Sequence, residues 1–137
     1  MDDRTRRFIA AWDDAVGQRD LEAVGALLAD HVAFWSPAVH RPSSGREAVT
    51  GLLSMVMDVF GDLVYTNVFA NESGGVVMQF ATTVQEGERR LDVEGVDVFQ
   101  LDDDGLAVEM RVMLRPLRAV HAVVAAMEER IRVAQQG

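Results

Sequence analysis

The apolar residues of this chain change their spacing once, near residue 63, and that change constrains the fold more than any other feature. Before it they recur every three to four positions. Phe8, Trp12, Ala15 and Val16, with Ile9 beside them, share one helical face. Gly17-Gln18-Arg19 breaks that helix, and Asp20 caps a second, short one carrying Leu21, Val24 and Leu28. Val32 to Trp35 is a β-prone run that ends at Pro37. Ser44-Gly45-Arg46-Glu47 has the form of a capping box, opening a helix with Val49, Leu52, Leu53, Val56 and Phe60, which Gly61 closes in a left-handed conformation. From Leu63 to Arg115 the period is two. Turn signals at Asn71–Gly75, Glu86–Glu88 and Asp102–Gly105 divide that stretch into four strands, spaced for an antiparallel meander. After Arg115-Pro116, a final helix carries Leu117, Val120, Val124, Met127 and Ile131 in one stripe, which covers the sheet or meets a partner helix. Without repeats or internal linkers, the 137 residues read as one α+β domain, 1–137.

Two absences narrow the chemistry. There is no cysteine, and all 13 basic residues are arginine. Disulfides, thiolate chemistry, Schiff bases and the P-loop lysine are therefore excluded. Three histidines, one tyrosine and 22 carboxylates remain for proton chemistry. No two histidines stand at ligand spacing, so the reading calls for no metal and no cofactor. Asp102-Asp103-Asp104-Gly105 reads as a hairpin turn rather than a calcium loop, and Gly74-Gly75 as another turn. A net charge of -9 argues against a nucleic-acid partner, with Arg4, Arg6 and Arg7 taken as a solvated helix start. No apolar run approaches the ~20 residues of a membrane span, and the N-terminus lacks a signal-peptide stretch, so the expectation is a cytoplasmic, bacterial-type protein with no membrane partner.

Asp97 is the first candidate for chemistry. Alternation puts Val93, Gly95, Asp97, Phe99 and Leu101 on one strand face and Glu94, Val96, Val98 and Gln100 on the other. On the first face the carboxyl is alone among apolar groups, where lost hydration raises its pKa and suits it to hydrogen-bond donation or acid–base work. The rival arrangement turns that face to solvent, because Val96 and Val98 are apolar too. His40 follows the first strand in a loop, and an imidazole there is the second candidate for proton transfer. His31 reads as a local polar contact at a helix-to-strand junction, and His121 as a residue flanking the last stripe.

Two segments carry a family resemblance: Trp12–Val24 running on through Leu27–Pro37 to Ser44–Glu47, and Glu94–Gly105 through Arg111–Pro116. Together they resemble the SnoaL-like branch of the nuclear transport factor 2-like superfamily, which includes ketosteroid isomerase, limonene epoxide hydrolase and polyketide cyclases. The resemblance implies a cone: a curved antiparallel sheet wrapped around N-terminal helices (a cystatin-like α+β barrel), with an extra C-terminal helix, an apolar cavity and a homodimer. It also implies that Asp97 matches the protonated aspartic acid of the isomerase oxyanion hole. The other two isomerase positions differ, with Trp12 in place of a tyrosine and Ser36 in place of the general-base aspartate. The epoxide-hydrolase arrangement has no match either, since alternation sends Arg111 outward with Glu109, Met113 and Arg115.

On that cone, the expected ligand-binding wall is Trp12, Phe34, Ser36, Met55, Met78, Phe80, Thr82, Asp97, Phe99, Met110 and Val112. An apolar pocket with one or two polar groups suits a hydrophobic, carbonyl-bearing molecule of polyketide, terpenoid or steroid-like type. Three readings stand. The chain is a cofactor-independent isomerase, cyclase or dehydratase with Asp97 and His40 as catalytic groups, a non-catalytic ligand-binding protein, or a dimeric interaction module.

Overall fold

A computed structural model describes residues 1–136. The elements run α1 (Asp3–Gly17), α2 (Leu21–Ala26), β1 (Leu28–Trp35), β2 (Ser43–Ser44), α3 (Arg46–Val59), β3 (Val64–Ala70), β4 (Gly75–Glu86), β5 (Arg89–Leu101), β6 (Ala107–Arg115) and α4 (Leu117–Gln136). The strands form one sheet in the order β2-β1-β6-β5-β4-β3. The meander β3–β6 is antiparallel throughout, as the turn spacing predicts. β1 joins it by pairing parallel with β6, which makes the sheet mixed.

The short-range signals act where the sequence puts them, with three exceptions. Asp20 accepts from the Ala23 amide and starts α2. Asp102 accepts from the Asp104 and Leu106 amides, so it builds the β5–β6 turn rather than a cation site. Leu28, however, begins β1 instead of extending α2, because it pairs with Ala107 of β6. Ser44 belongs to β2, paired with Ala33, so the capping box does not form; Gly45, at a φ of 98°, is the N-cap of α3 and makes no side-chain cap. Gly61 does not end α3 in a left-handed turn, since the helix leaves through Phe60 in an extended conformation and Phe60 bridges to Val84. Among the early arginines, Arg4 is not solvated: it donates to the Asp102 carbonyl and pairs with Asp2 and Asp103, tying α1 to the β5–β6 turn.

Register shifts in β3, β5 and β1 bend the sheet around the helices. Two apolar clusters then fill its concave side. One joins α1, α2 and α3 to β1 and the β5–β6 end of the sheet, through Phe8, Trp12, Leu28, Leu53 and Phe99. The other joins the end of α3 and α4 to β4 and β5, through Phe60, Phe80, Val93, Ala122 and Val123. Gly95 lies where β5 meets that second cluster. A Cβ there would fall 2.6 Å from the Met113 carbonyl oxygen and 2.7 Å from the Phe80 ring, so only glycine allows this approach.

Gly95→Ala is expected to lower the unfolding free energy by about 1–3 kcal/mol through overpacking. Gly51, on the exposed side of α3 with nothing within 4 Å of a Cβ, is the control; Gly51→Ala should raise stability by up to ~1 kcal/mol through helix propensity. Urea denaturation of the two variants measures both signs.

Candidate active site

The two apolar clusters do not close on each other. Tyr65 and Val112 pack against both, and between the clusters lies a cavity of about 380 Å³. Its wall is mostly apolar: Phe34, Leu53, Val56, Phe60, Phe80 and Met110 come from α3 and the sheet. Val120, Val124, Met127 and Ile131 of α4 complete it, so the stripe read from the sequence covers the cavity. Leu117, at the start of that stripe, is 69% exposed and takes no part. The charged lining residues other than Asp97 are Arg19, Arg41, Asp62 and Glu128, all exposed.

Asp97 stands on the buried face of β5, with Val93, Gly95, Phe99 and Leu101, as alternation predicts. Its neighbours across the ladders are Met78 of β4 and Val112 of β6, neither of which can pair with a charge. Relief comes from β3: the Tyr65 hydroxyl donates to Asp97 Oδ2 at 2.6 Å. Trp12 of α1 in turn donates its Nε1–H to Tyr65 Oη at 2.8 Å. Trp12 is held for this by Phe8, stacked at 5.7 Å between ring centroids, and by Phe99, edge-on at 4.8 Å. Burial pushes the Asp97 pKa up to about 7, while the Tyr65 hydrogen bond acts against that rise. The same burial, with the Asp97 carboxylate beside it, holds the Tyr65 phenol well above its usual range.

Trp12, Phe34, Ser36, Phe80, Asp97, Met110 and Val112 line the cavity as expected. Four other wall candidates do not. Met78 and Phe99 turn into the first apolar cluster, Phe99 against Phe8 and Trp12. Thr82 uses its hydroxyl on the Gly61 and Asp62 carbonyls. Met55, on the face of α3 away from Leu53 and Val56, is also outside the lining. His40 is exposed and outside the wall too, although its loop neighbours Val39 and Arg41 line the mouth. Arg111 faces outward, paired with Glu109 at 3.1 Å and lying 3.9 Å over the Trp35 ring. Tyr65 is the site residue that the sequence reading missed. It is the chain's single tyrosine, and a lone carboxyl on an apolar face calls for a neutral donor of its kind.

Among the described residues no three His, Asp or Glu side chains come together as metal ligands, and no helix is long and apolar enough to cross a membrane. The arrangement offers one carboxyl, able to change charge near neutrality, at the wall of an apolar cavity. That is the equipment for moving a proton to or from a bound molecule.

A family model for the SnoaL-like domain matches residues 5–110. Among solved structures, the chain is similar to a steroid delta-isomerase from Pseudomonas aeruginosa, with 30% identity over 100% of this chain and 98% of that one and a TM-score of 0.90. An uncharacterized protein with a cystatin-like fold from Silicibacter pomeroyi DSS-3 is also 30% identical, over 94% and 88% of the two chains, with a TM-score of 0.84. A protein provisionally described as a SnoaL-like polyketide cyclase, from Jannaschia sp. CCS1, shares the fold at 19% identity over 88% and 91%, with a TM-score of 0.73. No curated protein matches the sequence.

The raised pKa of Asp97 has a signature in stability. Unfolded, the carboxyl ionises near 3.8; folded, it ionises near 7. Between those values the folded chain holds a proton that the unfolded chain has released, so stability falls as pH rises through the window and stays lower above it. Asp97→Asn keeps an acceptor for Tyr65 and removes the ionisation. Between pH 4 and pH 8 its stability relative to wild type should improve by roughly 2–4 kcal/mol, measured by urea denaturation. Parallel curves for the two proteins would exclude Asp97 as the group responsible.

Proposed function

The chain belongs to the SnoaL-like domain family, and from that premise we propose that its cavity takes up an apolar, carbonyl-bearing small molecule at which Asp97 moves a proton. The observation that carries this reading is the single buried carboxyl of the cavity wall, poised at a pKa of about 7. A group ionising near neutrality is available in both forms. Protonated, it donates to a carbonyl oxygen; ionised, it takes a proton from an adjacent carbon or hydroxyl. Similarity to a steroid delta-isomerase supports a polycyclic or similarly bulky ketone as the ligand class.

Asp97 acts here without the two partners of the isomerase site. Trp12 and Ser36 fill those positions, and neither indole nor an unassisted hydroxyl is a base near neutrality. The reaction therefore runs through one carboxyl that both takes a proton from the ligand and gives one back, as in enolisation, cyclisation or dehydration. Ser36 is also the observation that favours the second reading, in which the cavity binds such a molecule without changing it.

Hydrogen exchange separates the two. The whole protein is incubated in heavy water with a panel of steroid and aromatic polyketide-type ketones, and mass spectrometry reads deuterium entering the positions next to the carbonyl. Enolisation predicts exchange that rises with pH through about 7, falling at least ~100-fold in Asp97→Asn. His40→Ala should leave the rate unchanged, because His40 is outside the cavity wall. Binding without exchange, seen by the fluorescence of Trp12 in a Trp35→Phe background, selects the second reading.

We also propose that the outer face of the sheet pairs with a second copy of the chain. Register aligns Phe69, Val77, Val98, Arg111 and Trp35 in one row across that face, with Val96 and Met113 in the next. Phe69 and Met113 are more than half exposed. The charges beside these two rows are already matched, Glu109 with Arg111 and Glu94 with Arg115, so two such rows meet without the repulsion expected from a chain of charge -9. Light scattering should give the mass of two chains, and Phe69→Asp with Met113→Asp should give one; a monomeric wild type rejects the pairing.

A further inference from the structure

The hydrogen bonds that end on Asp97 have a fixed direction. Indole Nε1 donates and cannot accept, so at the Trp12–Tyr65 contact of 2.8 Å the phenol oxygen is the acceptor. The single Tyr65 hydrogen then goes to Asp97 Oδ2, at 2.6 Å. Oδ2 accepts that hydrogen whether the carboxyl is ionised or neutral. Oδ1 accepts no side-chain hydrogen bond, yet the one buried side-chain polar atom without a partner among the described residues is Thr5 Oγ1. Oδ1 is therefore open to the cavity that Asp97 lines.

We propose that Trp12 is a positioning residue: it keeps Tyr65 a donor and so seats the exchangeable proton of Asp97 on Oδ1, the oxygen a ligand meets. With no donor on its oxygen, Tyr65 can instead accept a hydrogen bond from a proton carried on Oδ2, and Asp97 then offers the cavity only a carbonyl oxygen. The Phe8 and Phe99 contacts hold the indole in place. From the adjacent strands Met78 and Val112 bring no charge, and from α1 the Asp13 carboxylate acts on Tyr65. The substitution of indole for phenol at position 12, which breaks the isomerase pattern, thus has a role of its own. This inference rests on reading Asp97 as the proton-bearing group of the site.

Infrared difference spectroscopy of the full-length protein between acid and neutral pH tests it, with Asp97→Asn identifying the Asp97 carboxylic band. In wild type the band lies low, because its carbonyl accepts from Tyr65. Trp12→Phe, which retains the aromatic packing, should move it to higher wavenumber, where a carbonyl without a hydrogen bond absorbs. The midpoint of Asp97 titration should also rise, since a less polarised phenol stabilises the carboxylate less. If Trp12→Phe fails to fold, benzothienylalanine at position 12 keeps the indole shape and removes only the N–H. A wild-type band near 7 in titration that neither variant moves overturns the role of Trp12 alone. Absence of any Asp97 carboxylic band in mildly acidic wild type overturns the reading of Asp97 itself.

Discussion

One carboxyl held in an apolar wall sets the terms on which this molecule is built. An ionised carboxylate away from water is costly unless it is paired or hydrogen-bonded. The fold supplies Asp97 with one neutral donor, Tyr65, and no cation. An arginine against it would have fixed the carboxyl as an anion. The two guanidinium groups that line the cavity stay at its mouth, and that of Arg19 is occupied by the Met57 and Phe60 carbonyls at the end of α3. The outcome is a group that can exist in both charge states rather than a structural ion pair.

The architecture keeps that group between two cores. β4 and β5 are long enough, at 12 and 13 residues, to serve both: Met78 and Phe99 pack into the cluster under α1, and Phe80 and Val93 into the cluster under α4. Asp97 falls between them on β5. Close packing on either side leaves the cavity where the clusters part, and the absence of a side chain at Gly95 lets Phe80 and Leu114 come up against β5. α4 then covers the space with aliphatic side chains, which keeps the local surroundings apolar and the carboxyl poorly hydrated.

Local periodicity made much of this legible in the sequence. The switch of period placed the helices and the meander, and alternation in Val93–Leu101 put Asp97 on the more apolar face, the one the structure buries, although Val96 and Val98 left the reverse arrangement open. What escaped depends on contacts between distant segments. Tyr65 sits on β3, an edge strand with six of seven residues exposed and a register shift right after it, so no pattern in its own sequence marks it as inward. Thr82 and Phe99 share the inward face with Asp97's neighbours, but Thr82 is tied to the segment after α3 and Phe99 packs against α1, a distinction that alternation cannot make. Ser44 had the right spacing for a cap and was taken by strand pairing with Ala33, a tertiary choice over a local one.

The proton and a ligand compete for, or support, the same oxygen. A ligand that accepts a hydrogen bond from Asp97 needs the carboxyl neutral, so its binding must hold the proton in place and raise the pKa above 7. A ligand that is to lose a proton needs the anion and must find it already formed. Because Asp97 starts near neutrality, either displacement is small, and a carbonyl compound of the proposed class and its enol would be held with comparable ease. The reversible proton movement proposed for Asp97 rests on that balance. Under the proposed reaction, a carboxylate at position 36 would divide the two duties between groups; with Ser36 there, a single acid would serve both, its charge state adjusted by the bound molecule itself.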